Sequence, residues 1–254
     1  MQIRILGCSG GIGKGLATTS LMIDQDILLD AGTGVADLTL DEMLGLRHIF
    51  ITHSHLDHIA SVALLVDTLF GKVSQPLTVH ALQETIDALK EHIFNWTVWP
   101  DFSLLPDTDN AVIRFMSMRP GEVLDLGARS IEMIPVHHTV PAVGYRVSSN
   151  GAAFAFSGDT TTNDSLWAAL NAHPGLDMLI VEAAFPEADI ELSKLAGHYC
   201  PSLLAADLKK LRHRPVLCIS HPKPGEEARI IEECRALLPE WDLRPLSCGD
   251  TFQL

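Results

Sequence analysis

The chain has 254 residues, of which 47% are hydrophobic, so it is long and apolar enough to bury the core of one large domain. It carries 18 basic and 32 acidic residues, and the formal net charge of −14 argues against nucleic acid as a partner because such a surface repels polyanions. No apolar run is long enough to cross a membrane, and the five widely spaced cysteines lack a Cys-x-x-Cys pair, which is typical of free thiols in a reducing compartment. These features predict a cytoplasmic protein without a membrane partner.

The first predicted elements are short strands joined by polar loops. Residues 2–6 alternate as a half-buried strand does, and a glycine-rich loop follows at residues 7–15. The loop lacks the spacing of a phosphate-binding P-loop, because Cys8 stands where the first glycine belongs and Gly15 where the hydroxyl residue belongs. We interpret it as a plain loop near the pocket. Strands are predicted at residues 19–24 and 27–30, the second ending at Asp30.

The densest group of potential metal ligands follows the next apolar run, residues 48–51. His53, His55, Asp57 and His58 lie within six positions, at the predicted junction of a buried strand and a helix. Side chains alternate along a strand, so His53 and His55 can point to one place while the following turn directs Asp57 and His58 to a second. One ion cannot easily take four ligands packed this tightly, whereas two ions a few ångströms apart can. The spacing therefore predicts a two-metal site.

After these ligands, the apolar residues 59–70 predict a mostly buried helix, residues 77–80 a strand and residues 82–92 a helix. Four aromatic side chains then fall within residues 93–102, between Phe94 and Phe102. They either line a substrate pocket or pack into the core or a subunit interface, in which case the chain could form a homodimer.

In the second half, polar ligand types again appear only where apolar runs stop. Residues 112–116, 123–126 and 130–135 are predicted to be strands of a second sheet, and further strands end just before Asp159, at Glu182 and before His221. Predicted helices and strands complete this half: helices at 165–171, 202–211 and 226–237, and strands at 152–156, 178–181, 216–219 and 251–252. This order predicts two mixed sheets covered by helices in a single domain, residues 1–254.

The segment from Ile51 to His58 resembles the signature of the metallo-β-lactamase superfamily. The resemblance implies an α+β fold, a four-layer αββα sandwich with a two-metal site at the edges of its sheets, in a superfamily where most members are hydrolases. It also implies that Asp30 supports a metal-binding histidine; the residues alone equally allow an aspartate that caps a turn.

A bridging ligand is needed for two ions, and Asp159 is the candidate because a carboxylate has two oxygens. The segment from His138 to Arg146 resembles the one that follows the third histidine ligand of tRNase Z enzymes, which implies His138 rather than His137. The segments 158–160 and 182–185 are similar to that family as well. One ion would be held by His53, His55, His138 and Asp159, and the other by Asp57, His58, Asp159 and His221. Imidazoles suit zinc, and manganese or iron could occupy the oxygen-richer position.

A second family is similar in both order and spacing over residues 3 to about 225. The run from His53 to Ile59, Glu182, the segment Gly197–Pro201 and the segment Ser220–Lys223 resemble class II cyclic-nucleotide phosphodiesterases, although Ala63 interrupts the aliphatic run of that signature. This resemblance implies catalytic roles for His198, which would protonate or stabilise the leaving oxygen, and for Glu182, which would position His198. Asp57 is both a ligand and a candidate catalytic residue.

The first hypothesis for function is therefore a two-metal phosphodiesterase for a small phosphodiester, such as a 3′,5′-cyclic nucleotide. The alternatives are a tRNase Z-like tRNA 3′ endonuclease, whose glycine- and proline-rich arm and basic surface are not found here, and a metal-binding sensor or scaffold without turnover. The remaining histidines are expected to be ordinary hydrogen-bonding residues: His48, His80, His92, His137, His173 and His213.

Overall fold

A computed structural model describes all residues from Met1 to Leu254. Its fourteen strands are, in chain order, β1 Gln2–Gly7, β2 Ser20–Ile23, β3 Ile27–Leu29, β4 His48–Phe50, β5 Leu77–Ala81, β6 Ile113–Ser117, β7 Val123–Leu126, β8 Arg129–Val136, β9 Ala142–Ser149, β10 Ala152–Phe156, β11 Met178–Glu182, β12 Val216–Ser220, β13 Leu243–Pro245 and β14 Thr251–Gln253. Its α-helices are α1 Leu40–Gly45, α2 Leu56–Ile59, α3 Val62–Leu69, α4 Gln83–His92, α5 Ser165–Asn171, α6 Ile190–Ala196, α7 Pro201–Leu208 and α8 Glu227–Leu237. Two short 3₁₀ helices, Thr33–Asp37 and Glu187–Asp189, complete the elements.

The strands form two sheets with the same succession of pairings. The first sheet has the order β14-β1-β2-β3-β4-β5-β6 and the second the order β7-β8-β9-β10-β11-β12-β13. In each sheet, read in this direction, three antiparallel pairs are followed by three parallel pairs. The chain ends meet at the first sheet, where the Met1 amine donates a hydrogen bond of 2.8 Å to the Leu254 carbonyl.

Buried side chains form three apolar layers that hold the two sheets and the helices together. In β11, Met178 and Ile180 pack between the two sheets, whereas Leu179 and Val181 pack against the helices on the outer side. This division follows from the period of two along a strand. A third layer packs α3 and α4 against the outer side of the first sheet. The predicted αββα sandwich is therefore confirmed.

Several helix ends have clear local causes. Thr39 and Glu42 form a reciprocal capping box at the start of α1, and Pro201 begins α7 at a position where its missing N–H is not needed. Gly197 ends α6 with φ at +70°, a backbone conformation that glycine adopts without steric cost. His198 therefore lies in a short, well-defined connection between α6 and α7.

Two predictions about elements were wrong, and four strands or α-helices were not predicted. Residues 113–117 belong to the first sheet, since β6 pairs in parallel with β5. The predicted helix at residues 59–70 is two helices, because α2 begins at Leu56 within the ligand segment and α3 starts only at Val62. The predicted pattern also missed β9, α1, α6 and β13.

None of the helices combines the length and hydropathy that a membrane span requires. All five cysteines have free thiols, and Cys248 is the exposed one.

Candidate metal centre

The predicted ligands meet at one edge of the sandwich, because the strands that carry them end there. β8 and β10 both run antiparallel to β9, and β10, β11 and β12 run parallel, so their carboxyl ends share an edge. His138 follows β8, Asp159 follows β10, and His221 follows β12. The first sheet contributes the segment after β4, where α2 begins directly behind His55.

The first group of ligand atoms contains three imidazoles and one carboxylate. The group is His53, His55, His138 and Asp159. Asp159 Oδ2 lies 3.7 Å from His53 Nε2 and 4.0 Å from His138 Nε2. His138 Nε2 is 3.2 Å from His55 Nδ1.

The second group contains two imidazoles and two carboxylates, Asp57, His58, Asp159 and His221. Asp159 Oδ1 lies 3.2 Å from His58 Nε2, and Asp159 Oδ2 lies 3.3 Å from His221 Nε2. Asp57 Oδ2 is 3.9 Å from His58 Nε2 and 3.7 Å from His221 Nε2. Asp159 is thus common to both groups, as a bridging carboxylate would be.

These residues fit divalent metal ions in spacing and in chemistry. Ligands about 2.0–2.1 Å from a tetrahedral zinc ion are about 3.3 Å apart, close to the separations of the donor atoms in both groups. The Nε2 atoms of His53, His58 and His221 are buried and have no hydrogen-bond partner in the protein. Such buried polar atoms are costly unless something binds them, and a metal ion would do so.

Protein groups contact the opposite ring nitrogen, Nδ1, of these three histidines and also that of His138. His58 Nδ1 is 2.7 Å from Asp30 Oδ2, and His138 Nδ1 is 2.8 Å from the Gly197 carbonyl. His53 Nδ1 is 3.0 Å from Thr52 Oγ1, and His221 Nδ1 is 3.3 Å from Thr19 Oγ1. Partners of this kind orient a metal-binding imidazole and fix its tautomer.

Asp30 supports a histidine rather than capping a turn. It is fully buried, and its carboxylate also accepts hydrogen bonds from the Thr52 backbone N–H at 2.7 Å and the Thr52 hydroxyl at 2.8 Å. Of the two interpretations of Asp30 from sequence, the geometry favours the one implied by the superfamily resemblance.

Burial and neighbouring charges set the protonation states of the centre. Burial lowers the pKa of His53 and His221 well below the usual value and that of His138 to about 4, so these imidazoles are neutral and able to bind metal. Burial also lowers the pKa of His58, but the carboxylates of Asp159 and Asp30 outweigh it and raise that pKa well above the usual value. The carboxylates that favour a proton on His58 would also favour a metal cation.

His198 and Glu182 form a buried pair beside both groups. His198 Nδ1 lies 2.7 Å from Glu182 Oε1, and Glu182 is fixed further by the Thr160 N–H at 2.9 Å. The His198 ring lies 4.9 Å from the His138 ring and 5.3 Å from the His221 ring. Burial lowers the pKa of His198, but the Glu182 carboxylate outweighs it and the net pKa is raised. Burial raises the pKa of Glu182, an effect that His198 only partly offsets.

The other histidines lie away from the centre or point elsewhere. His137 is exposed next to the buried His138, and its Nδ1 lies 3.4 Å from the Thr162 carbonyl. His48 and His80 contact each other at 3.0 Å, and His80 stacks on Phe50. His173 pairs with Glu132 at 2.7 Å. Sequence reasoning did not find Thr19 and Thr52, since isolated threonines carry no pattern.

The aromatic segment packs mainly into the core. Phe94 and Phe102 are buried against α3 and α4, and Trp99 packs against the same layer. Trp96 is 61% exposed. The structure therefore favours packing for most of the segment and leaves one indole in solvent.

Comparison with known proteins finds relatives among phosphodiesterases, ribonucleases Z and metallo-β-lactamase fold proteins. A family model described as cAMP phosphodiesterases class-II matches residues 40–153. A probable 3′,5′-cyclic-nucleotide phosphodiesterase of Yersinia pestis is 32% identical over 88% of this chain and 78% of its own. A ribonuclease Z of Bradyrhizobium sp. (strain ORS 278) is 26% identical over 85% of this chain and 86% of its own. The solved structure of YhfI from Bacillus subtilis, a metallo-β-lactamase fold protein, is 17% identical, with a TM-score of 0.81 over 99% of both chains.

Proposed function

The chain belongs to the class II cyclic-nucleotide phosphodiesterase family, and on that premise we propose that it is a two-metal hydrolase of a small phosphodiester such as a 3′,5′-cyclic nucleotide. The observation that carries the proposal is the position of Asp159. Its carboxylate belongs to two groups of four potential ligands, and in each group the ligand atoms lie within 4.8 Å of one another. The Asp57 side chain is 29% exposed, more than the other ligands of the second group, so it borders the space left for a substrate.

When bound, two divalent ions at such a site lower the pKa of water and neutralise the charge that develops on phosphorus. The protein then has to hold the ligands and supply the leaving group with a proton. Asp159 would hold both ions, with the three histidines of one group and Asp57, His58 and His221 of the other.

His198 is the candidate for the proton donor. Its Nδ1 is occupied by Glu182, so Nε2 is the nitrogen left for a substrate. When the bond between phosphorus and the ester oxygen breaks, the electron pair stays on the oxygen, and Nε2 would give that oxygen its proton. The Glu182 carboxylate raises the pKa of His198 and so favours the acid form of its ring.

The net charge of −14 favours a small substrate over tRNA. A protein that makes 6–10 phosphate contacts loses about 10³- to 10⁵-fold in affinity between 50 and 200 mM salt. A small diester at a recessed metal centre involves few such contacts. We expect the rate on a cyclic nucleotide to change less than about threefold over this salt range.

The test is an assay of metal-loaded protein against cAMP, cGMP, bis(p-nitrophenyl) phosphate and pre-tRNA at both salt concentrations, with Asp159→Ala as the inactive control. Hydrolysis of a cyclic nucleotide with weak salt dependence supports the proposal. Efficient cleavage of pre-tRNA with a steep salt dependence would favour the tRNA endonuclease. That alternative is retained because a ribonuclease Z is among the relatives of this chain. Metal binding without turnover of any diester favours a sensor or scaffold.

A further inference from the structure

The glycine-rich loop, residues 7–15, has no role in the proposed chemistry, yet it lies directly against the segment that carries His221. The His221 backbone N–H donates to the Cys8 carbonyl at 2.6 Å, and the Gly10 N–H donates to the Pro222 carbonyl at 2.9 Å. The Lys223 ammonium donates to the Gly10 carbonyl at 3.0 Å. Cys8 and Gly10 are thus hydrogen-bonded to three consecutive residues, 221–223.

The backbone of His221 needs such support. Its φ is +64°, in the left-handed region that residues other than glycine adopt at a cost of on the order of 1 kcal/mol or more. Conformations of this kind persist only where the surroundings fix them. The contacts with Cys8 and Gly10 fix the backbone on both sides of His221, while Thr19 holds its Nδ1.

Gly10 packs too closely on His221 for any larger residue. A Cβ atom at position 10 would lie 2.6 Å from the His221 carbonyl oxygen, 3.0 Å from its Cδ2 and 3.2 Å from its Nε2. Since the first of these atoms is backbone, an alanine would displace His221. The three atoms nearest to a Cβ at Gly13 in the same loop would all belong to the Leu16 side chain, and the nearest is its flexible end, Cδ1, at 3.1 Å.

We infer that the glycine-rich loop is a clamp that holds His221 in its ligand conformation and thereby sets the metal affinity of the second group. The inference rests on the proposed two-metal function. The loop forms no hydrogen bond with the side chains of His53, His55 or His138, so its effect should be confined to one of the two ions.

The test compares Gly10→Ala with the matched control Gly13→Ala by metal analysis after dialysis and by titration with zinc in a chelator buffer. We expect two ions in the wild type and in Gly13→Ala. In Gly10→Ala, one ion should stay at wild-type affinity and the other bind about 10- to 100-fold more weakly, the range seen when partners of metal ligands are lost. Circular dichroism should show the native fold in all three proteins.

Lys223 supplies a second, milder test if Gly10→Ala does not fold. Lys223→Met removes one hydrogen bond from the clamp and should weaken the same ion several-fold, whereas Lys223→Arg should restore most of the affinity. These titrations contain no substrate, so any contact of Lys223 with a phosphate does not affect them.

Three results would overturn the inference. If the wild type holds two ions and both Gly10→Ala and Lys223→Met bind them at wild-type affinity, the clamp is wrong and the two-metal function stands. Equal weakening of both ions would mean that the loop supports the whole centre rather than His221. Fewer than two ions in the wild type would overturn the two-metal function together with the clamp.

Discussion

The two ligand groups share Asp159 but are built differently. The first has three imidazoles, and the second has two imidazoles and a further carboxylate, Asp57. His138 of the first group depends on a backbone carbonyl for its orientation, whereas the second group depends on a buried carboxylate, Asp30, and on a strained residue, His221. A nitrogen-rich position suits zinc, and an oxygen-richer position also accepts manganese or iron. The two groups therefore offer a metal ion different ligand chemistry, and different parts of the fold orient their histidines.

The largest effect is expected where the two groups meet. Asp159→Ala removes the carboxylate common to both, so most of both ions should be lost and the activity should fall on the order of 10⁴-fold or more. Elemental analysis of purified protein and steady-state assays measure the two effects. If Asp159→Ala keeps one ion at full occupancy, the groups are independent and the bridge is wrong.

The next effect concerns His198, which contacts rings of both groups. His198→Ala should keep both ions and the fold while losing about 10²- to 10⁴-fold on substrates with an alkoxide leaving group. The loss should be much smaller on p-nitrophenyl esters, whose leaving group needs no proton. Equal losses on both substrates would indicate charge stabilisation at phosphorus instead, and loss of an ion would make His198 a ligand.

The smallest expected effect comes from Asp30, and it would best distinguish the metal affinities of the two ligand groups. Asp30→Asn removes the charge that orients His58 directly, so the ion of the second group should bind about 10- to 100-fold more weakly. The other ion should be weakened less, because Asp30 reaches His53 only through the Thr52 hydroxyl. Zinc titration measures both affinities. Asp26→Asn is the matched control, because Asp26 forms its ion pair with Arg129, away from the centre. Equal weakening of both ions in Asp30→Asn would show that the groups act as one unit.

Local patterns in the sequence were enough to locate most of the candidate site. The ligand types cluster after apolar runs, and strand ends that share an edge bring them together, which is why the segment 53–58, Asp159 and His221 could all be named in advance. The choice of His138 over the adjacent His137 depended on family resemblance. Their metal-binding roles stay predictions until the ions are measured.

Features that depend on distant pairing could not be predicted in the same way. Residues 113–117 alternate equally well for either sheet, and only their parallel pairing with β5 assigns them to the first. The support given by Thr19 and Gly10 to His221 joins parts of the chain about 200 residues apart. No local pattern reports such contacts.

The matching order of pairings in the two sheets has a consequence for how the chain could be organised. β14 is the only strand that leaves its half of the sequence, and it does so beside β1, where the two chain ends touch. A circular permutant could be made by linking residue 254 to residue 1 and cutting the chain within residues 118–122, between β6 and β7. In that permutant, the seven strands of each sheet would follow one another along the chain without interruption, as one segment. The first segment would carry His138, Asp159 and His221, and the second His53, His55, Asp57 and His58. Each ion would then be bound across a junction between two topologically equivalent halves, neither of which holds a complete set of ligands.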